Sequence, residues 1–219
     1  MRLAVLIFSL VSVVLLSAQT DSLRMIKYSN GFRFKEGIYV NHQQMANNKP
    51  IPKSSIISKY NKNSFDFFER LVDEGYVKFF DEYGLMKEMD ISEIWGFCRK
   101  GSVFINWGDD FSRITVLGNI CHFVSSITSN LNQLPTMGFD GGYYNTPTTT
   151  NRSEIQQFVM DFSTGKVFDY HRENILTLLK PDLELYEEYS NLKKRKKKEM
   201  KFLYIRKFNE KHPLYIPIN

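Results

Sequence analysis

The sequence predicts an α+β fold: an antiparallel β-sheet meander with a helix near 64–74 and two C-terminal helices. Three observations predict it. From Tyr76 to Phe168, short runs of aromatic and β-branched residues are broken by turn signals about every ten residues, which is the texture of an antiparallel meander. Phe65, Phe68 and Leu71-Val72 recur at helical spacing and are closed by Gly75. The last fifty or so residues lose the alternation and take up a helical period.

Taken in order, residues 20–31 are polar and are expected to be mobile. Gly37–Val40 reads as a strand, and Asn41 can cap a helical turn through Asn47 that Pro50 must end. Ser54–Tyr60 is a second strand candidate around Ile56 and Ile57, and the first helix starts at Asn63 or Ser64. Tyr76–Phe80 is a strand before a turn at Tyr83-Gly84. Ile94–Cys98 and Val103–Trp107 flank a turn at Arg99-Lys100-Gly101, and Gly108–Asp110 turns the chain again. Arg113–Leu117 and Ile120–Ile127 flank Gly118-Asn119, a two-residue hairpin signal. Residues 128–154 read as a long polar loop. Ile155–Phe162 and Val167-Phe168 form a strand pair around Ser163–Lys166. Glu173–Leu179 is a helix stopped by Lys180-Pro181. Asp182 opens a basic helix over 182–207 with Leu185, Tyr189 and Leu192 on one face; that stripe fails at Lys196 and resumes at Met200 and Leu203. The tail Pro213–Pro217 is expected to be extended.

The first residues read as an address. Arg2, a 14-residue apolar run from Leu3 to Leu16, and Ser17-Ala18-Gln19 follow the grammar of a secretory signal over residues 1–19, cleaved after Ala18 or Gln19. The run is too short to cross roughly 30 Å of hydrocarbon at about 1.5 Å per residue. No later stretch is long and apolar enough to span a membrane. The expectation is an exported protein, periplasmic or extracellular, with residues 20–219 as a single α+β domain.

An aromatic content of 15% argues against disorder. The formal charge of +5 falls to +4 without Arg2; Lys193–Lys198 supply +6, so the remainder sums to −2. This is a near-neutral domain with one basic patch, and export makes nucleic acid a poor partner for it. Cys98 and Cys121 can pair in an oxidising compartment or stand as small buried hydrophobes, and both readings stay open.

The Gly37-Ile38-Tyr39 strand, the Trp95-Gly96-Phe97 segment with Gly101 after it, the Asp161–Lys166 turn, and the closing Asn209-Glu210-Lys211-His212-Pro213-Leu214-Tyr215 resemble uncharacterised exported proteins common in Bacteroidota-type bacteria. The resemblance implies a Gram-negative, export-side setting and brings no catalytic residues with it.

Chemistry is sparse. His42, His122, His171 and His212 form no short two-ligand pattern, so neither a metal nor another cofactor is implied. His122 follows Cys121 in a β-run, which sends the two side chains to opposite faces. No Gly-x-Ser-x-Gly elbow occurs, and a Cys98–His122 dyad would need neighbouring strands. Asp109-Asp110 and Asp140 admit a carboxylate hydrolase, although turn aspartates usually cap backbone. Phe139, Asp140, Tyr143 and Tyr144 place rings and a carboxylate around Gly141-Gly142 and are the candidate ligand-binding residues. Lys193, Lys194, Arg195, Lys196, Lys197 and Lys198 are candidates for an anionic lipid or polysaccharide surface. The expectation is a non-catalytic exported protein that binds an unidentified envelope ligand or protein. Docking through the basic helix and loop-carboxylate hydrolysis are the alternatives.

Overall fold

The computed structural model describes residues 24–132, 136–137, 143–144 and 149–218, and the secretory signal expected over 1–19 lies outside them. The chain opens with β1 (Arg24–Lys27), β2 (Gly37–Tyr39), α1 (His42–Ala46), β3 (Ile51–Pro52) and, after a single 3-10 turn, β4 (Ile56–Ile57). Helix α2 (Phe67–Glu74) leads into the hairpin β5 (Tyr76–Phe80) and β6 (Met86–Asp90). The meander follows as β7 (Gly96–Arg99), β8 (Ser102–Trp107), β9 (Asp110–Val116) and β10 (Ile120–Asn132). Two short strands, β11 (Thr136–Met137) and β12 (Tyr143–Tyr144), precede β13 (Thr149–Asp161) and β14 (Val167–Asp169). The chain closes with α3 (Arg172–Leu179), α4 (Leu183–Ser190), α5 (Lys194–Lys211) and β15 (Tyr215–Ile218).

Eight strands form one antiparallel sheet in the order β14-β13-β10-β9-β8-β7-β2-β3. A three-stranded sheet, β4-β5-β6, stands beside it, and β1 pairs with β15. The α+β class read from the sequence is therefore the class of the structure.

Alternation along the large sheet serves two faces. Tyr39, Cys98, Ile105, Cys121, Phe123 and Phe158 pack on one face against Phe34, Met45, Leu214 and Ile216. On the other face, Ile38 and Phe97 meet α2 and the small sheet through Phe67, Phe68, Leu71, Val77 and Phe79. At the far end of that face, Ile120 and Val159 are covered by the three C-terminal helices through Ile175, Leu179, Tyr189, Tyr204, Ile205 and Phe208. Each fully buried side chain of this size contributes about 2 kcal/mol of transfer free energy. Gly96 permits the β7–β8 pairing at its closest point, because a Cβ there would stand 2.1 Å from the Phe104 carbonyl oxygen.

Several expectations need correction. Residues 20–31 include β1, whose partner lies at the other end of the chain. The expected loop 128–154 is partly sheet, because β10 and β13 pair at thirteen consecutive positions from Ile120↔Asp161 to Asn132↔Thr149. Strand β6 carries no sequence signal of its own. The helix expected from Asn63 or Ser64 is α2, which begins at Phe67 after turns that occupy those two residues. The basic helix expected over 182–207 is two helices, α4 and α5, separated by Asn191–Lys193.

Candidate functional site

The small sheet leans on the open edge of the large one and leaves a groove of about 680 Å³ between them. Pro50, Ile51 and Pro52 form one wall, on and beside β3, the terminal strand of the eight-stranded sheet. Phe79, Phe80 and Met89 form the other, with Tyr83 at the turn between β5 and β6. The polar lining includes Gln44, Lys49, Ser55, Asp81, Glu82 and Lys87. An apolar trough of this volume with a few polar groups has the make-up of a ligand site.

The mouth is built by the β5–β6 turn. Asp81 accepts hydrogen bonds from the N–H groups of Tyr83 and Leu85, both at 2.9 Å, and pairs with Lys87 at 3.1 Å. Desolvation alone would raise its pKa, but the Leu85 N–H, the Lys87 ammonium and the Tyr83 N–H outweigh it and hold the carboxyl below its ordinary value. The Asp81 N–H donates to the Leu85 carbonyl at 3.0 Å, the Gly84 N–H to the Asp81 carbonyl at 3.0 Å, and Gly84 takes the left-handed φ of 75° that the turn requires. This fixed turn displays Tyr83 at 80% exposure, Leu85 at 62% and Met86 at 66%, with Phe80 at 47% beside the groove. Packing gains little from rings left in water, whereas a ring held on a rigid turn is a low-entropy anchor for a ligand.

A second, shallower cleft of about 440 Å³ brings together His42, Trp95, Trp107 and Glu93. Its aromatic residues are committed to the core. Trp107 meets Phe123 and Phe158 edge-on at 6.5 and 5.8 Å, and Trp95 meets Tyr39 at 6.4 Å. The Asn106 amide donates to the Ser92 and Ile94 carbonyls at 3.2 and 3.0 Å and pins the segment before Trp95. His42 packs on Trp95 and Phe162, and its enclosed Nε2 makes no hydrogen bond among the described residues.

The residues singled out from sequence fall elsewhere. Phe139 and Asp140 lie outside the described residues; Tyr143 and Tyr144 form β12, paired with β11. Lys193 precedes α5 and Lys194–Lys198 occupy its first turns, all exposed except the half-buried Lys197. Cys98 and Cys121 are free and buried. Strands β8 and β9 separate them, about 14 Å of sheet at roughly 4.8 Å per strand, well beyond the reach of about 7 Å that a disulfide allows. Burial, as the dominant influence, pushes both thiols up to about 12, where thiolate is scarce. The Cys98–His122 dyad is not assembled, because Cys98 lies in the core of one face and His122 meets Tyr170 and Phe202 on the helix-covered face. Asp109 serves structure: its carboxylate accepts from the Thr128 hydroxyl at 2.8 Å and the Thr128 N–H at 3.1 Å, which lower its pKa. Among the described residues no three His, Cys, Asp or Glu side chains converge as a metal set.

The model of a family of unknown function, DUF6563, matches residues 37–212. The chain belongs to this family. No curated protein and no solved structure matches it. The DUF6563 span runs from β2 to the end of α5. It holds the groove, the eight-stranded sheet and the helices, and leaves out the β1–β15 pair. Within it, the closing residues that stood out in the sequence tie α5 down. The Asn209 side chain bonds the N–H and carbonyl of Ile120 at 2.9 and 2.8 Å, and His212 meets Asp182 at 2.6 Å.

Sequence reasoning missed the groove because its walls come from segments that are neighbours only in space. The one local signal was the turn after Asp81, where Tyr83, Leu85 and Met86 are large apolar residues exposed to solvent as β5 gives way to the polar β6.

Proposed function

We propose that this member of DUF6563 is a non-catalytic binding protein of the cell envelope, exported by the leader at 1–19, that receives an extended peptide segment with apolar side chains in the groove between β3 and the β5–β6 hairpin. The observation that carries the reading is Tyr83, held at the mouth of an apolar groove by a turn in which Asp81 satisfies two backbone N–H groups. Pro50 and Pro52 carry no N–H, so strand addition along β3 is blocked, and what supports an extended segment is the apolar lining of Ile51, Phe79, Phe80 and Met89, which suits apolar side chains. The bacterial, export-side setting comes from the resemblance in the sequence. Phe139, Asp140, Tyr143 and Tyr144, in the stretch of sequence that joins β10 to β13, belong to this reading as a second set of ligand contacts.

The test is selection of a random heptapeptide library on the purified chain, followed by titration of the selected peptides. Tyr83→Ala is expected to weaken them by about tenfold or more, the scale of an aromatic anchor, while leaving the urea midpoint unchanged. Peptides that bind both proteins equally would refute the groove as the site.

A further inference from the structure

Helix α5 segregates the charge of the chain. Its eighteen residues, Lys194–Lys211, carry nine basic side chains against two acidic ones, a net +7. The whole chain is +5, so everything outside α5 sums to −2. Several of these cations are committed within the fold. Lys201 covers the Tyr170 ring, Lys207 pairs with Glu188, and Lys211 pairs with Asp182 and Glu184. Lys194, Lys198 and Arg206 are exposed and make no ion pair among the described residues, while Arg195 is engaged only by Glu199 on its own helix.

Charge is not the only feature of this face. At 100° per residue, Leu203 projects on the side of α5 away from Ile205 and Phe208, whose side chains enter the core, while Phe202 lies at the border of the core-facing side, about 60° from Ile205. Phe202 is 39% exposed, with its ring also meeting His122, and Leu203 is 43% exposed. Leu203 and the exposed edge of Phe202 thus reach solvent between Arg195 and Lys198 towards one end of the helix and Arg206 towards the other. A soluble polyanion offers such residues nothing. A lipid surface takes both features at once: phosphates meet the cations, and the headgroup boundary takes the apolar side chains.

We propose that the exposed first turns of α5 and its outer face dock on an anionic lipid surface, with Lys194, Arg195, Lys198 and Arg206 at the phosphates and Leu203 with the exposed edge of Phe202 at the acyl boundary. The proposal does not depend on the groove.

The test is co-sedimentation of the protein, purified from its own cells, with phosphatidylcholine vesicles containing or lacking phosphatidylglycerol. The wild type is expected to bind the anionic vesicles about tenfold or more better than the neutral ones, and to lose that preference in high salt. Lys194→Glu with Lys198→Glu and Arg206→Glu is expected to abolish the preference. Leu203→Ser is expected to weaken binding severalfold while keeping the salt dependence, with circular dichroism showing both variants folded. Unchanged binding in either folded variant would overturn the proposal. So would a wild type indifferent to phosphatidylglycerol, or one that binds dextran sulfate and no vesicle.

Discussion

His122 sits on the helix-covered face of β10, where Nδ1 meets the Thr115 hydroxyl at 3.2 Å and Nε2 meets the Gln157 amide oxygen at 3.1 Å. Burial pushes its pKa down, the Gln157 contact opposes this, and nearby Lys201 adds to the depression. His42 is depressed as well, by burial, against the opposing pull of the Phe162 backbone and the Asp161 charge. An imidazole with a lowered folded pKa takes a proton more readily in the unfolded chain. Stability is therefore highest above the unfolded value of about 6.5 and falls as pH drops through it, until the folded pKa is passed. The urea midpoint is expected to decrease from pH 7.5 to 5.5, and this slope is expected to flatten in His42→Asn/His122→Gln. An identical slope in that double variant would contradict the assignment. At this scale the sequence was partly legible. It placed Cys121 and His122 on opposite faces, because strand alternation is local. It left the Cys98–Cys121 pairing open, because strand order is not local.

At the scale of elements, legibility followed the range of the determining contacts. Asn41 caps α1 by accepting from the Gln44 N–H at 2.9 Å, and Gly75 closes α2 in the left-handed region, both as local chemistry predicts. Strands β1 and β6 were missed because their pairing partners impose them. Met86–Asp90 is a polar run that becomes a strand by pairing with Tyr76–Phe80. The split between α4 and α5 did leave a trace, since the apolar stripe failing at Lys196 marks a new helix that buries a different face. That new helix starts badly. Lys193 occupies the N-cap position with φ −60° and ψ 148° but makes no side-chain cap, and the first turn has no acidic residue. Lys193→Asp is expected to stabilise the protein by about 1 kcal/mol, by adding a cap and an anion at the positive end of the helix dipole. Urea unfolding checks it, and an unchanged or lower midpoint would show that the cap cannot form.

Across the whole molecule, one sheet supports three apolar clusters, and the groove lies at the join between the large sheet and the β4-β5-β6 unit. Such a join is invisible to sequence periodicity, which reports faces and says nothing of which faces meet. The basic run was legible as a patch, and the fold adds that Leu203 and one edge of Phe202 reach solvent beside it. The central claim is that the groove under Tyr83 holds a ligand. The most direct test is native mass spectrometry of the chain purified gently from its own cells, wild type and Tyr83→Ala side by side. The account predicts a peptide-sized adduct on the wild type that is lost or strongly reduced in the variant. A bare chain in both, or the same adduct on both, would contradict it.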